Sequence, residues 1–299
     1  MGFLTFAKNS ETTNYLQLAY VQALNIKATQ KHNRYAVVVD PATNKLVTEK
    51  HLKVFDHIIV VESASAFDAE AQAFWATPFK ETIKLEADLL FTRSIDHWWD
   101  AFRLRDMCLS TGCRDYKQQP STSRKYRQFF DTNGLPDVYN GLMYFRFTKT
   151  AKDFFTTARQ LFDQWDAVHL QLKNCRDATP STDVVFALAA SITGTELCTM
   201  PSMDFINFVH MKPAINDYTE GQRFQDTYIT EFNQGMIRIN NINQYHPIHY
   251  HEKDFITEEM KTNYKTFSNN SQIVLTKSFM EEINRKAYIY TKNNDTTLD

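Results

Sequence analysis

Phe79-Lys-Glu-Thr-Ile-Lys-Leu-Glu-Ala-Asp-Leu-Leu-Phe-Thr92 is the stretch on which the reading of this chain turns. Polar and apolar residues alternate from Thr82 to Leu85, the period of a strand. The alternation runs into Glu86, Ala87 and Asp88, and apolar Leu89, Leu90 and Phe91 follow at once. Carboxylates pinned between hydrophobic flanks are costly unless they are paired or hold a cation. Where the backbone turns at a strand end, two acids two residues apart can converge on one ion, and Mg²⁺ and Mn²⁺ take oxygen ligands. The same residues also read as an acidic strand terminus with solvated side chains. If they do form an acidic cluster, removing Asp88 is expected to relieve repulsion and leave stability unchanged or slightly raised.

Upstream of this stretch, Gly2 to Ala7 reads as a first strand and Lys8 to Asn14 as a polar loop that ends in a helix cap. From Tyr15 the apolar residues Leu18, Ala19, Ala23 and Ile26 fall at helical spacing. Tyr35 to Asp40 is a continuous apolar run closed by an acid, the pattern of a parallel strand buried on both faces. A polar helix is expected over 45–55, and Ile58 to Glu62 is another buried strand. This alternation predicts βαβ units, hence an α/β fold with a Rossmann-like, mostly parallel central sheet flanked by helices. Ligands of such sheets gather at the carboxyl ends of the strands, where Glu86 and Asp88 fall, as does the segment Thr5 to Lys8. There is no G-x-G-x-x-G after the first strand and no G-x-x-x-x-G-K-[ST] anywhere, so dinucleotide oxidoreductases and P-loop NTPases lose their main support.

Downstream, Ile95 to Phe102 has the aromatic face of a helix, and the polar, basic segment 115–133 reads as a loop. Val138 to Phe147 is a strand opened by Asn140-Gly141, where the glycine allows either close backbone approach by a ligand or a bulge. Residues 148–165 are amphipathic, with Phe154, Phe155, Leu161 and Trp165 as core. Ser181 or Thr182 caps an apolar helix over 184–192, and Asp183 sits in its first turn, where an acid is favoured by the helix dipole. Three of nine histidines fall in Tyr245-His-Pro-Ile-His-Tyr-His-Glu-Lys253. There His249, His251 and Lys253 make a group suited to a metal and a phosphate, and His210 with Lys212 makes a smaller one.

The whole chain of 299 residues carries a formal charge of −2, which offers no general attraction to nucleic acid or anionic membrane. Its four cysteines lack C-x-x-C spacing, so neither a zinc ribbon nor a disulfide framework is indicated. Met1 to Phe6 has no signal-peptide character, and no apolar run reaches the roughly 20 residues that cross a bilayer. A cytoplasmic protein without a membrane partner is the expectation. The expected organisation is one domain over 1–255 and a polar helical or irregular extension over 256–299.

Taken in order, these segments resemble the glycogenin-like, GT-A-type glycosyltransferases, over roughly residues 2–253. Ile83-Lys-Leu-Glu-Ala-Asp88 stands where that family has its D-x-D metal motif, with Glu86 in place of the first Asp. Tyr139-Asn-Gly141 resembles the N-[ST]-G strand opening beneath the donor sugar, without the small residue before the glycine. Thr182-Asp-Val-Val-Phe186 looks like the D-Q-x-x-[LF] segment without its Gln. Met200 to Asn207 is similar to L-P-x-x-[WYF]-N, and His249-Tyr-His-Glu-Lys253 to H-[FY]-x-G-x-x-K without the Gly.

The resemblance implies a glycosyltransferase that uses a nucleotide-sugar donor, a UDP-sugar first among them, and works with retention. It implies Mn²⁺ or Mg²⁺ held by Glu86, Asp88 and His249, with His210 as the rival histidine. It implies a nucleotide-sugar site of Thr5, Phe6, Ala7, Tyr15, Asn140, Gly141, Asp183 and Lys253, with Asp183 and Lys253 in catalytic roles. The chemistry agrees, because a diphosphate leaves only when its charge is neutralised. A nucleotidyltransferase-like enzyme and an inactive nucleotide-sugar-binding protein on the same fold are the rival readings. A protein side chain, a glycan, a small metabolite or a modified nucleobase all fit as acceptor.

Overall fold

The computed structural model describes residues 1–62, 66–120, 124–175, 178–199, 206–211, 223–233, 235–271 and 288–290. The apolar runs become strands β1 (Gly2–Phe6), β2 (Tyr35–Val39), β3 (His57–Val61) and β4 (Glu81–Leu85). They are followed by β5 (Leu89–Leu90), β6 (Met107–Thr111), β7 (Val138–Arg146), β8 (Val209–Met211) and β9 (Thr230–Asn233). Last come β10 (Met236–Ile239), β11 (Ile242–Asn243), β12 (Ile248–Tyr250) and β13 (Tyr288–Tyr290).

Among the described residues seven strands form the central sheet, in the order β13-β3-β2-β1-β4-β7-β6. The five from β13 to β4 run parallel, whereas β7 is antiparallel to both β4 and β6. The expectation of a mostly parallel sheet holds. Its one reversed strand is long and apolar and pairs on both sides, with β4 and with β6. Two small sheets complete the fold, β11-β10-β9 and β5-β12-β8.

The faces of the central sheet explain which helices cover it. Phe3, Tyr35, Val37, Ile83 and Leu85 point one way, into a core shared with Leu16, Ala19, Ala23 and Ile26 of the helix Tyr15–Thr29. Met260 and Tyr264, of the helix Glu258–Ser271, close over the same core, so packing continues past residue 255. That second cover accounts for a helix buried nearly all round in its middle, from Val21 to Ile26. Leu4, Val38, Ile59, Met143 and Phe145 point the other way, against Phe154 and Phe155 of the helix Lys149–Asp163 and Phe186 of the helix Thr182–Thr193. β4 adds no apolar residue to that second core: its side chains there are Thr82 and Lys84, both buried.

Three expectations change. The polar helix over 45–55 is replaced by two short helices, Pro41–Asn44 and Glu49–Leu52. Asp40 caps the first, accepting from Thr43 N at 3.0 Å, and Thr48 opens the second. The segment 115–133 is not all loop, because Arg124–Asn133 is helical. The tail contributes β13 to the free edge of β3, an addition that its own short polar surroundings did not announce. No helix among the described residues is long and apolar enough to cross a membrane.

Candidate functional site

β4 ends at Leu85, and the next three residues turn out of the sheet. Glu86 N donates to Gly141 O at 3.1 Å, and Leu89 N closes the turn on Glu86 O at 3.3 Å. β5 then pairs antiparallel with β12, so that His249 lies opposite Leu89, and Tyr250 N donates to Asp88 O at 3.0 Å. Two acids and a histidine more than 160 residues apart in sequence are thereby set against one another. His249 Nε2 is 3.0 Å from Glu86 Oε2 and 3.3 Å from Asp88 Oδ1. Lys253, in the turn Lys253–Phe255, is ion-paired with the other carboxylate oxygen of Asp88.

The turn is clamped from below by amide side chains of the helix Tyr15–Thr29. Gln22 Nε2 donates to Glu86 O at 2.6 Å and to Leu89 O at 2.7 Å. Its Oε1 accepts from Thr5 Oγ1 at 2.6 Å and Tyr35 OH at 2.8 Å. One turn further on, Asn25 exchanges both hydrogen bonds with the backbone of Phe91, at 2.7 and 2.8 Å. Every polar atom of buried Gln22 is thus used, which is how a polar residue is tolerated in a core.

Charge in the cluster is strongly coupled. Burial works against the imidazolium of His249, but Asp88 and Glu86 outweigh it and push its pKa up to about 10. Burial would raise Asp88, yet His249 and Lys253 hold it well below the carboxylate range, and His249 likewise lowers Glu86. On its far side, His249 Nδ1 lies 3.1 Å from His210 Nδ1. With the second proton held on His249 Nδ1 by His210, loss of the Nε2 proton would free that nitrogen's lone pair for an ion between it and the acids. The two histidines are therefore not equivalent: His249 joins the acids and His210 stands behind it. Lys212 lies outside the described residues, as do Met200 to Phe205 of the segment that ends at Asn207. His251 is beyond the end of β12, its ring 6.5 Å from that of His210, and it stays out of the acidic cluster.

The donor set fits a divalent cation. One ligand atom each from Glu86, Asp88 and His249 lies within 4.8 Å of the others. Two carboxylate oxygens and one imidazole nitrogen are a set that Mn²⁺ accepts readily, and Mg²⁺ less so.

These three residues line a cavity of about 650 Å³ at the carboxyl ends of β1, β2 and β4. Phe6, Ala7, Tyr15, Asn140, Gly141 and Asp183, all named from the sequence, line it too. Thr5 does not line it: it is fully buried and serves as a donor to Gln22. Lys253 sits outside the lining, engaged with Asp88. Asn9, Asp40 and Glu70 are lining residues that sequence reasoning missed, although the acid closing β2 was visible. Gly141 has a packing reason as well, since a Cβ there would come within 3.0 Å of the Phe208 ring. Opposite it, the β6–β7 register slips between Leu109 and Ser110, the bulge alternative for this segment.

Behind the cavity wall runs a chain of buried ion pairs. Lys84 Nζ is paired with Glu70 Oε2 and donates to Asn140 Oδ1 at 2.9 Å and Asn140 O at 3.4 Å. Asn140 Nδ2 also donates to Glu70 Oε2. Asn140 N donates to Asp183 Oδ1 at 2.8 Å, and Arg127 Nη1 holds Asp183 Oδ2 at 3.0 Å. Arg127 is itself held between the Phe130 and Tyr139 rings, 3.8 and 4.0 Å from their centroids, and is paired with Asp137. Burial raises both Glu70 and Asp183 against the pull of Lys84 and Arg127, and Glu86 pushes each further up.

No family model matches the sequence, and no curated protein matches it. Solved structures do. The galactosyltransferase LgtC, determined with donor and acceptor sugar analogues, aligns with a TM-score of 0.50 at 13% identity, covering 94% of this chain and 100% of that one. An active-site mutant of LgtC gives 0.51 at 14% identity, covering 93% and 99%. Mouse xyloside xylosyltransferase 1, in its apo form, gives 0.48 at 13% identity, covering 84% and 98%. At such identities the likeness is one of fold, and the fold is that of the GT-A-type glycosyltransferases.

Proposed function

We propose that this chain is a glycosyltransferase that moves a sugar from a nucleotide-sugar donor, a UDP-sugar first among the candidates, with retention as the family resemblance implies. The observation that carries the reading is the convergence of Glu86, Asp88 and His249 in the lining of the 650 Å³ cavity. Glu86 Oε2, Asp88 Oδ1 and His249 Nε2 would hold a divalent cation, preferably Mn²⁺. When bound, such a cation supplies Lewis-acid neutralisation of a departing diphosphate.

The remaining roles belong to the chain's own residues. Phe6, Ala7, Tyr15 and Asp40, where β1 and β2 end, form the wall for the nucleoside. Asn140, Gly141, Asp183 and Glu70 form the wall for the sugar, on the opposite side of the acidic pair. Lys253 keeps Asp88 ionised and adds positive charge beside the leaving group. Asp183 is rigidly oriented by Asn140 N and Arg127, which suits it to accept hydrogen bonds from the transferring sugar.

The test is incubation with UDP-glucose, UDP-galactose and UDP-xylose, with and without Mn²⁺, while UDP release is followed. Metal-dependent release of UDP together with free sugar is expected, and it should disappear after exhaustive EDTA treatment. Exchange of a sugar 1-phosphate would favour a nucleotidyltransferase. UDP binding with no turnover of any donor would leave a binding protein.

A further inference from the structure

We infer that Glu70 sets the class of donor this chain takes: a neutral sugar, one hydroxyl of which donates to the free carboxylate oxygen of Glu70, in preference to a sugar with a carboxylate of its own. The inference rests on the donor site proposed above and adds which sugars it admits.

Glu70 closes the short helix Ala66–Glu70 and lines the cavity beside Asn140 and Asp183. Its Oε2 is occupied twice, by Lys84 Nζ and by Asn140 Nδ2. Its Oε1 has no hydrogen-bond partner among the described residues, and it is not among their buried unsatisfied atoms. This oxygen is therefore an open acceptor on a charged, fixed group. A sugar hydroxyl is the donor that matches it, and hydrogen bonds to ionised acceptors are the strong ones.

The nearby cations offer an anionic sugar nothing in exchange. Lys84 is 1% exposed, and its three ammonium protons are matched by Glu70 Oε2, Asn140 Oδ1 and Asn140 O. Arg127 spends Nε on Asp137, Nη1 on Asp183 and Nη2 on Val138 O, with an aromatic ring over each face. Both positive charges behind this wall are thus consumed by protein acceptors. What the wall shows to the cavity is carboxylate and amide. A uronic-acid carboxylate placed there would face Glu70 and Asp183, with Glu86 close enough to raise the proton affinity of both. Lys8 also lines the cavity, but it follows β1, at the nucleoside end.

The position of Lys84 shows how the sequence builds this wall. On the face that β4 turns towards the helices Lys149–Asp163 and Thr182–Thr193, Lys84 stands level with Leu4 of β1 and Met143 of β7. An ammonium there is tolerated only with a counter-ion, so Glu70 is drawn in from its helix and held with one oxygen outward. Thr77 and Thr82 pair with each other at 2.7 Å nearby and take no part in the wall.

The experiment measures binding of UDP, UDP-glucose, UDP-galactose, UDP-xylose and UDP-glucuronate in Mn²⁺, to the wild type and to Glu70→Gln. The wild type should bind at least one neutral donor tenfold or more tightly than UDP-glucuronate. Glu70→Gln should bind UDP as the wild type does, lose tenfold or more for that neutral donor, and narrow the gap to UDP-glucuronate. Because Glu70→Gln strands the buried Lys84 charge, the double variant Glu70→Gln with Lys84→Met is the control for folding and should show the same narrowing. Wild-type preference for UDP-glucuronate, or an unchanged neutral-to-uronate ratio in a variant that still binds UDP, overturns the inference. Failure of the wild type to bind UDP at all overturns the donor site, and this inference with it.

Discussion

Loading the Glu86–Asp88–His249 cluster with Mn²⁺ at a series of pH values perturbs the site where its coupling is strongest. Without an ion, burial disfavours a proton on His249, but Asp88 and Glu86 override it and hold that proton up to about pH 10. An ion requires the neutral nitrogen, so binding must expel the proton. At about pH 7.5 only about 0.3% of the protein has His249 neutral, so apparent affinity lies roughly 300-fold below its intrinsic value. Affinity should therefore rise about tenfold per pH unit through the neutral range. The sign follows from the direction of the shift. The folded-state pKa lies above the ordinary ~6.5, so the proton stabilises the ion-free fold fully below about pH 6.5, and this contribution is lost as pH rises towards about 10. Glu86 and Asp88 are held below the usual range and release no proton near neutrality. Titration calorimetry between about pH 6.5 and 8.5, in buffers of different ionisation enthalpy, should find about one proton released per Mn²⁺. A dissociation constant flat across that window, with no proton released, would refute the reasoning.

Three further outcomes follow from the same geometry. Asp88→Asn should lower the stability of the ion-free protein by on the order of 2 kcal/mol near neutral pH, since it leaves Lys253 without its counter-charge and His249 with Glu86 alone. Relief of repulsion, the expectation from sequence, is outweighed by these two cations. Because the folded-state pKa of Asp88 is lowered, the difference should shrink as pH falls below about 3.9, and denaturation of both proteins across pH measures it. His249→Ala should weaken Mn²⁺ binding by more than His210→Ala does, the latter by roughly 10-fold through loss of the partner of Nδ1; equal affinity in His249→Ala and wild type would reverse the assignment. Gln22→Leu should cost on the order of 4 kcal/mol of stability, since it strands two carbonyls and two hydroxyls, while Gln22→Glu retains the acceptors for Thr5 and Tyr35 and should cost less; thermal unfolding of the pair checks the order.

What could be read from sequence divides along sequence separation. The apolar runs at 35–39 and 57–61 became parallel strands because burial on both faces demands uninterrupted hydrophobicity. Glu86 and Asp88 stood out because hydrophobic neighbours on both sides make a charge conspicuous. Lys84 carried the opposite signal and was passed over. On an alternating strand it reads as solvent-facing, and only Glu70, folded back from beyond β3, explains its burial. Gln22 looked like one more helical position, since the carbonyls it holds lie 64 and 67 residues away. The helix over 45–55 failed for a local reason: Asp40-Pro41 and Thr48 each start a turn of their own, and the composition between them carries no stop signal that periodicity can see. β6 was not anticipated, because Met107-Cys-Leu-Ser-Thr111 is too short and mixed to stand apart without β7 beside it.

Arg127 gives the helix Arg124–Asn133 an influence that its location hides. Among the described residues none of that helix lines the cavity, yet Arg127 grips Asp183 with one nitrogen and the carbonyl of Val138 with another, while Phe130 and Tyr139 enclose it. The orientation of Asp183 is therefore tied to the placement of this helix. A library of random variants scored on donor turnover should return hits on the Arg127 side of this helix. Those proteins would fold and keep every cavity residue, yet position Asp183 wrongly. Breeding for altered sugar preference has a handle here, one helix removed from the chemistry.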